Sequence, residues 1–287
     1  MVKYQPCVSI ITPFYNASQY VHQYIRSIRA QAYCNWLCLL IDDNSTDNSF
    51  NILETITLSD SRFLLLKNPD TTSTPGPASA RNYALSLVRS ELVAFCDVDD
   101  LWHPLKLTLQ VDALTKYNAD IVVSDYARFF ISASHSVSTV DVPVPSCCSY
   151  RDLLVKNPIP LLTVLMSSKL AATRFSTINH EDYLYWLSVF KQIPPIRYYR
   201  VPEILAYYRI HSSNITSNKL LMPIWTYNVF RKHGLGRVQS LIRILNWSKS
   251  HILNQVYLAW TRLKSSPSPH NPSHPSLRQF LNEESSD

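Results

Sequence analysis

The feature that most restricts the fold is the order of local patterns along the first 125 residues. Short β-rich or continuously apolar runs alternate there with segments of helical spacing. Residues 8–12 read as a strand, and 18–30 as a helix through Tyr20, Tyr24, Ile25 and Ile28. Residues 36–41 form an apolar run suited to a strand buried on both faces. Residues 45–57 read as a helix opened by Asp and Ser caps, 63–66 as a strand, and 77–88 as a helix with proline in its first turn. Residues 92–96, 104–117 and 120–124 continue as strand, helix and strand. Strands separated by helices predict an α/β fold on a parallel sheet with right-handed crossovers. Such sheets bind ligands beyond the carboxyl ends of their strands.

Later segments are less regular. Residues 132–149 are rich in Ser, Val and Pro and read as an irregular excursion. Residues 161–167 and 203–210 have strand character and 181–191 helical character. Residues 223–233 and 237–264 read as helices parted at Gly234 and Gly236, and 265–287 as a disordered Ser/Pro-rich tail. The expected division is a catalytic domain at 1–215, a basic helical extension at 216–264 and the tail at 265–287.

Composition removes several classes of function. No apolar run reaches the ~18 residues of a spanning helix, and residues 1–14 lack the form of a signal peptide. With only 3 glycines there is no G-x-G-x-x-G dinucleotide fingerprint. None of the 6 cysteines forms a C-x-x-C pair, so reduced, mostly buried thiols are expected. The net charge of +6 is unevenly placed. Residues 212–282 hold 9 Lys and Arg and no acidic residue, while residues 1–211 are balanced. A neutral body with a basic end suits an anionic surface; nucleic acid is disfavoured because no aromatic-studded recognition motif accompanies the charge.

The polar residues that could carry chemistry lie where the strands end. Asp97, Asp99 and Asp100 follow a buried strand. Clustered carboxylates raise one another's pKa unless a cation joins them, and hard oxygen ligands suit Mg²⁺ or Mn²⁺. A helix cap with two solvated carboxylates explains the same residues equally well. Asp43 could accept a bond from a nucleobase, although Asp42-Asp43-Asn44-Ser45 also supplies caps. Tyr15 beside Pro13 could offer a flat face to a base. Arg81, one turn into a helix that starts with small residues, could fork onto phosphate. Glu181 and Asp182 open a helix, as a general base or as partners of its dipole. Arg209 and His211, at the end of a strand, could meet diphosphate or metal.

Together these residues are more specific than any one of them. The succession Val8-Ser9-Ile10-Ile11-Thr12-Pro13-Phe14-Tyr15-Asn16, Ile41-Asp42-Asp43-Asn44-Ser45-Thr46-Asp47, Ala80-Arg81-Asn82, Asp97-Val98-Asp99-Asp100, Glu181-Asp182 and Tyr208-Arg209-x-His211 resembles family 2 glycosyltransferases over residues 5–215. The resemblance implies the GT-A fold, a mixed sheet flanked by helices. It also implies a nucleotide-sugar donor, a divalent metal and inversion at the anomeric carbon. By that likeness Pro13, Tyr15 and Asp43 hold base and ribose, and Arg81 lies near the nucleotide. Asp97 touches ribose or sugar, and Asp99, with Asp100 as its rival, binds metal. Asp182 is the catalytic base with Glu181 beside it, and His211 sits near diphosphate and metal. Asn44 and Ser90 stand where many members have glycine, and Asn tolerates a left-handed turn. The Q-x-x-R-W signature of processive synthases is absent.

The expected activity is single-site sugar transfer to a glycan or lipid-linked acceptor by a cytoplasmic chain, peripheral on the inner membrane face through residues 237–264. A nucleotidyltransferase is the rival enzyme, but residues 13–17 lack its Gly-rich loop. A scaffold binding partners through its basic helices is the rival without catalysis.

Overall fold

The computed structural model of the chain describes residues 5–70, 76–132, 136–192, 195–211, 221–245 and 274–281. Three parallel crossovers build its first half. The strands are β1 (Val8–Phe14), β2 (Trp36–Asp42), β3 (Phe63–Lys67) and β4 (Leu92–Phe95). They alternate with α1 (Val21–Arg29), α2 (Ser49–Thr57) and α3 (Pro77–Leu87). Every residue of β1 and β4 is buried, Ser9 and Thr12 included, and β4 is accordingly apolar throughout. Then come β5 (Leu101–Trp102), α4 (Lys106–Tyr117), β6 (Ile121–Ile131), β7 (Val137–Val142), α5 (Tyr150–Leu153), β8 (Leu165–Ser167), α6 (Glu181–Gln192) and β9 (Tyr198–Arg209). The described chain closes with α7 (Met222–Lys232), α8 (residues 237–245) and α9 (Pro275–Leu281).

The strand order is β3-β2-β1-β4-β8-β6-β9-β5, with β7 paired to β6. The sheet is mixed, not wholly parallel as the alternation predicts. β8 runs antiparallel to β4 and β6, β5 antiparallel to β9, and β7 antiparallel to β6. β6 and β9 run parallel, with a register shift around Asp125.

Several segments differ from the reading of the sequence; β6, for one, continues past residue 124 to Ile131. β7 lies inside the stretch expected to be irregular; its Val-Ser-Thr-Val-Asp-Val alternation pairs six residues with β6 along a partly exposed edge. β9 starts five residues earlier than residue 203. α2 starts at Ser49 because residues 45–48 are spent on a turn. Asp42 Oδ1 accepts the Ser45 N–H at 2.9 Å there, and Asn16 Oδ1 accepts the Thr46 and Asp47 N–H groups at 2.8 and 3.2 Å. Asn16 and Asn44 adopt φ of 48° and 65°, the left-handed conformation that Asn tolerates. Finally, α9 falls within the tail expected to be disordered. Its Leu277 and Phe280 are buried against Leu101, Phe129 and Tyr207. His274 Nε2 meets Asp141 Oδ1 at 2.9 Å, and Ser276 Oγ meets the Tyr207 hydroxyl at 2.7 Å. Tertiary capture, not helix propensity, holds so short a helix. Of the helix expected over 237–264, residues 246–264 lie outside the described chain.

The main core packs Ile10, Ile11, Leu39, Leu40, Val93 and Phe95 of the strands against Tyr24, Ile25, Tyr185 and Trp186 of the helices. All six cysteines are free; Cys38, Cys96 and Cys148 are buried, whereas Cys34 and Cys147 are exposed. Among the described residues no helix is long and apolar enough to cross a membrane.

Candidate active site

The polar residues singled out from sequence gather in three linked groups. The first is at the ends of β1 and β2. Pro13 is fixed in register opposite Ile41, and Tyr15, just past the strand, is half exposed. Asp43 is buried: its Oδ1 accepts a bond from Asn68 Nδ2 and its Oδ2 one from the Gly76 N–H, both at 2.8 Å. A carboxylate offers about four lone-pair directions, so an incoming N–H can still be accepted without rotating the side chain.

The second group centres on Arg81, whose side chain is only 3% exposed. Its two terminal nitrogens donate to Asp97 Oδ1 at 2.6 Å and Glu181 Oε1 at 2.7 Å. Burial works against the charge, but the two carboxylates hold the guanidinium protonated above its ordinary range. The sequence suggested a phosphate fork; the structure engages both ends of the fork within the protein. Arg81 instead ties the Asp97 loop after β4 to the start of α6.

Glu181 is thereby fixed one residue before Asp182. The preceding His180 has φ of 61° and packs edge-on against Trp225 of α7, 5.4 Å between ring centroids. Asp182 Oδ2 accepts a bond from Asn157 Nδ2 at 2.9 Å, and Oδ1 accepts the Tyr183 N–H at 2.8 Å. Burial, then the neighbouring Glu181 charge, pushes the Asp182 carboxyl up to about 7. A carboxylate with such a value is suited to taking a proton near neutral pH. Asn157 was not legible as a site residue: its partner lies 25 positions away, and the only local signal is a polar side chain before a proline.

The third group separates the two rival aspartates. Asp100 is 2% exposed and its Oδ1 accepts the Arg209 N–H at 3.0 Å. Burial, then the charges of Asp99 and Asp97, push its carboxyl well up. Asp99 is more open: its Oδ2 lies 2.9 Å from His211 Nε2, and both side chains are about a quarter exposed. Arg209 is itself buried, donating to the Asp99 carbonyl at 2.8 Å and to Gln23 Oε1 at 2.7 Å, with its guanidinium over the rings of Phe129 and Tyr20. It braces the loop from behind, where the sequence suggested a contact to diphosphate.

No group of three His, Cys, Asp or Glu side chains arranged for a metal occurs among the described residues. Asp99 and His211 form a two-donor pair. Mg²⁺ and Mn²⁺ are commonly held by one or two carboxylates plus water and substrate phosphates, so the pair fits a cation that shares its coordination with a bound diphosphate.

The sequence profile described as Glycosyl transferase family 2 matches residues 9–151. The chain is 36% identical over 243 residues to the UDP-Glc:alpha-D-GlcNAc-diphosphoundecaprenol beta-1,3-glucosyltransferase WfgD of Escherichia coli, covering 83% of this chain and 92% of that one. Among solved structures, S. aureus TarS 1-349 in complex with UDP-GlcNAc superimposes with a TM-score of 0.65 at 18% identity, over 85% of this chain and 72% of that one. The mannosyltransferase PcManGT from Pyrobaculum calidifontis, in complex with GDP-Man and Mn²⁺, gives 0.61 at 17% identity, over 92% and 77%. At these identities the two structures establish the fold.

Proposed function

The chain belongs to glycosyl transferase family 2, and from that premise we propose that it moves a sugar from a nucleotide-diphospho-sugar donor to an acceptor hydroxyl, inverting the anomeric carbon. The observation that carries the reading is the placement of Asp182. Its carboxyl is poised near neutrality, held by Asn157, and linked through Glu181 and Arg81 to the Asp97 loop.

The acceptor oxygen attacks the anomeric carbon on the face opposite the nucleotide. The bond from that carbon to the diphosphate oxygen breaks, and the acceptor proton passes to Asp182. A single displacement of this kind inverts configuration. General-base assistance of this kind contributes ~10²–10⁴-fold. Tyr15 offers its exposed ring to the base, and Asp43 accepts an N–H from it. Asp97, held by Arg81, faces the ribose or sugar. A divalent cation on Asp99 and His211 would supply positive charge to the departing diphosphate. Asp100 and Arg209 keep Asp99 in place and take no ligand themselves.

The relative's name points to a sugar on a diphosphate-linked lipid as the acceptor class and a UDP-sugar as the first donor to try. The test is incubation of the full chain with UDP-sugars, Mn²⁺ and a diphosphoundecaprenol-linked sugar, followed by NMR of the product's anomeric centre. Expected is a β-linked product from an α-linked donor, with release of UDP. A retained anomeric configuration would overturn the mechanism. Release of pyrophosphate in place of UDP would instead favour a nucleotidyltransferase.

A further inference from the structure

α8 carries an apolar stripe that is exposed among the described residues. Val238, Leu241, Ile242 and Leu245 are 70, 56, 52 and 63% exposed. Their spacing of three, four and seven residues puts them on one side of a helix that turns about 100° per residue. The other side is anchored: Ser240 is fully buried, and Leu235 and Ile244 pack on the main core. The stripe therefore has a fixed direction relative to the catalytic domain. Ile224 of the preceding α7 is exposed as well, at 55%.

Charge narrows what this surface meets. Arg231, Lys232 and Arg237 are exposed beside it, and no acidic residue occurs anywhere between 212 and 282. A second copy of the same face would bring like charges together. An apolar stripe on a helix pair whose charged side chains are all cations matches the boundary between the headgroups and acyl chains of an anionic bilayer.

The position of the helix pair gives the surface a use. Trp225 of α7 packs on His180, immediately before Glu181 and Asp182. Phe230 packs edge-on to Tyr183, 5.8 Å between centroids, and His233 Nε2 meets the Tyr150 hydroxyl at 2.8 Å. α7 thus braces the start of α6, where the base sits, and α8 with its apolar stripe follows directly after α7 in the chain.

We propose that the exposed face of α8 docks on an anionic phospholipid bilayer and brings the Asp182 end of α6 to acceptors held in that membrane. The use of the surface, though not its existence, rests on the transfer reaction proposed above. A soluble acceptor needs no such docking, so a lipid-linked acceptor is the substrate class the surface serves.

The test is flotation of the full chain with vesicles of phosphatidylglycerol and phosphatidylcholine at low salt, against vesicles of phosphatidylcholine alone. Flotation is expected with the anionic vesicles only. Leu241→Asp with Leu245→Asp should lower the bound fraction about tenfold or more, and Lys232→Glu with Arg237→Glu should make residual binding insensitive to salt. All four positions are exposed, and unchanged thermal unfolding of the variants verifies the fold. Wild type that stays at the bottom of the gradient, or a double Asp variant that floats as well as wild type, overturns the proposal. A concentration-dependent dimer in sedimentation velocity, abolished by the same double variant and unaccompanied by flotation, would reassign the stripe to self-association. Flotation requires no turnover, so its result stands apart from that of the transfer assay.

Discussion

Asn157 donates its side-chain N–H to Asp182 Oδ2 at 2.9 Å, across 25 residues of sequence. A bond of this sort favours the charged form of a carboxylate. The Asp182 carboxyl nevertheless rises to about 7, because burial and Glu181 outweigh it. Asn157→Ala should therefore move the acid limb of the pH–rate profile, centred near 7 in the wild type, to higher pH. Affinity for UDP should stay as it was. A limb that does not move, alongside a lowered plateau, would make Asn157 a packing residue only.

Asp182→Asn should cost ~10²–10⁴-fold in transfer while sparing UDP binding. It also has a signature in stability. A carboxyl raised from 3.8 to about 7 binds more protons folded than unfolded across that window. Wild-type stability contributed by this group consequently falls as pH rises from about 4 to 7. The variant lacks that slope, so its Tm relative to wild type should improve between pH 5 and pH 8. Parallel Tm curves for the two proteins would contradict the raised value.

Removing Arg81 strands two carboxylates. Arg81→Met should destabilise by about 3 kcal/mol, the lower end for breaking a buried pair, because the Asp97 side chain retains solvent contact. Arg81→Lys should recover little, since one ammonium cannot reach both Asp97 and Glu181 in the planar fork geometry. Urea unfolding measures both, and a Lys variant as stable as wild type would refute the bridging role.

The two neighbouring aspartates should separate cleanly in calorimetry of Mn²⁺ binding with UDP present. Asp99→Asn and His211→Ala should each weaken Mn²⁺ binding about tenfold or more, as loss of one of two protein donors implies. Asp100→Asn should leave Mn²⁺ affinity nearly intact and lower Tm instead, because its carboxyl caps the Arg209 N–H. The opposite pattern would return the metal to Asp100.

α9 should contribute measurably to the whole domain. Phe280→Ala empties part of a small buried cluster and should cost about 3 kcal/mol. A loss below about 0.5 kcal/mol, within the range of surface substitutions, would mean the helix is only loosely seated.

Much of this architecture is visible in the chain itself. The alternation through residue 124 is legible because β2 and β4 are buried and apolar almost throughout, and β1 is rich in β-branched residues. The strand-end positions of Asp43, Asp97 and Asp99 follow from the same alternation. What sequence conceals is burial of charge and pairing at a distance. Arg81 looks like a surface phosphate fork until Asp97 and Glu181 are found 16 and 100 residues away. Asn157 and Gln23 carry little local mark, since their partners Asp182 and Arg209 are 25 and 186 residues off. β7 escapes notice because an edge strand lacks one of the two buried faces that make a run conspicuous. α9 does so because seven residues are too few for periodicity to speak.

The guanidinium of Arg26 reaches the Phe280 carbonyl, a contact spanning 254 residues. Closing so long a separation carries an entropic cost that falls once the intervening chain is ordered. Leu101, next to Asp100, and Phe129, beneath Arg209, share the cluster that Leu277 and Phe280 close. The wall behind the DVDD loop is thus closed by a helix far along the chain from every strand it covers. Displacement of α9 alone would leave the first half of the sheet in place yet bare Phe129 and Tyr207, so damage remote from the loop in sequence would be felt at the loop.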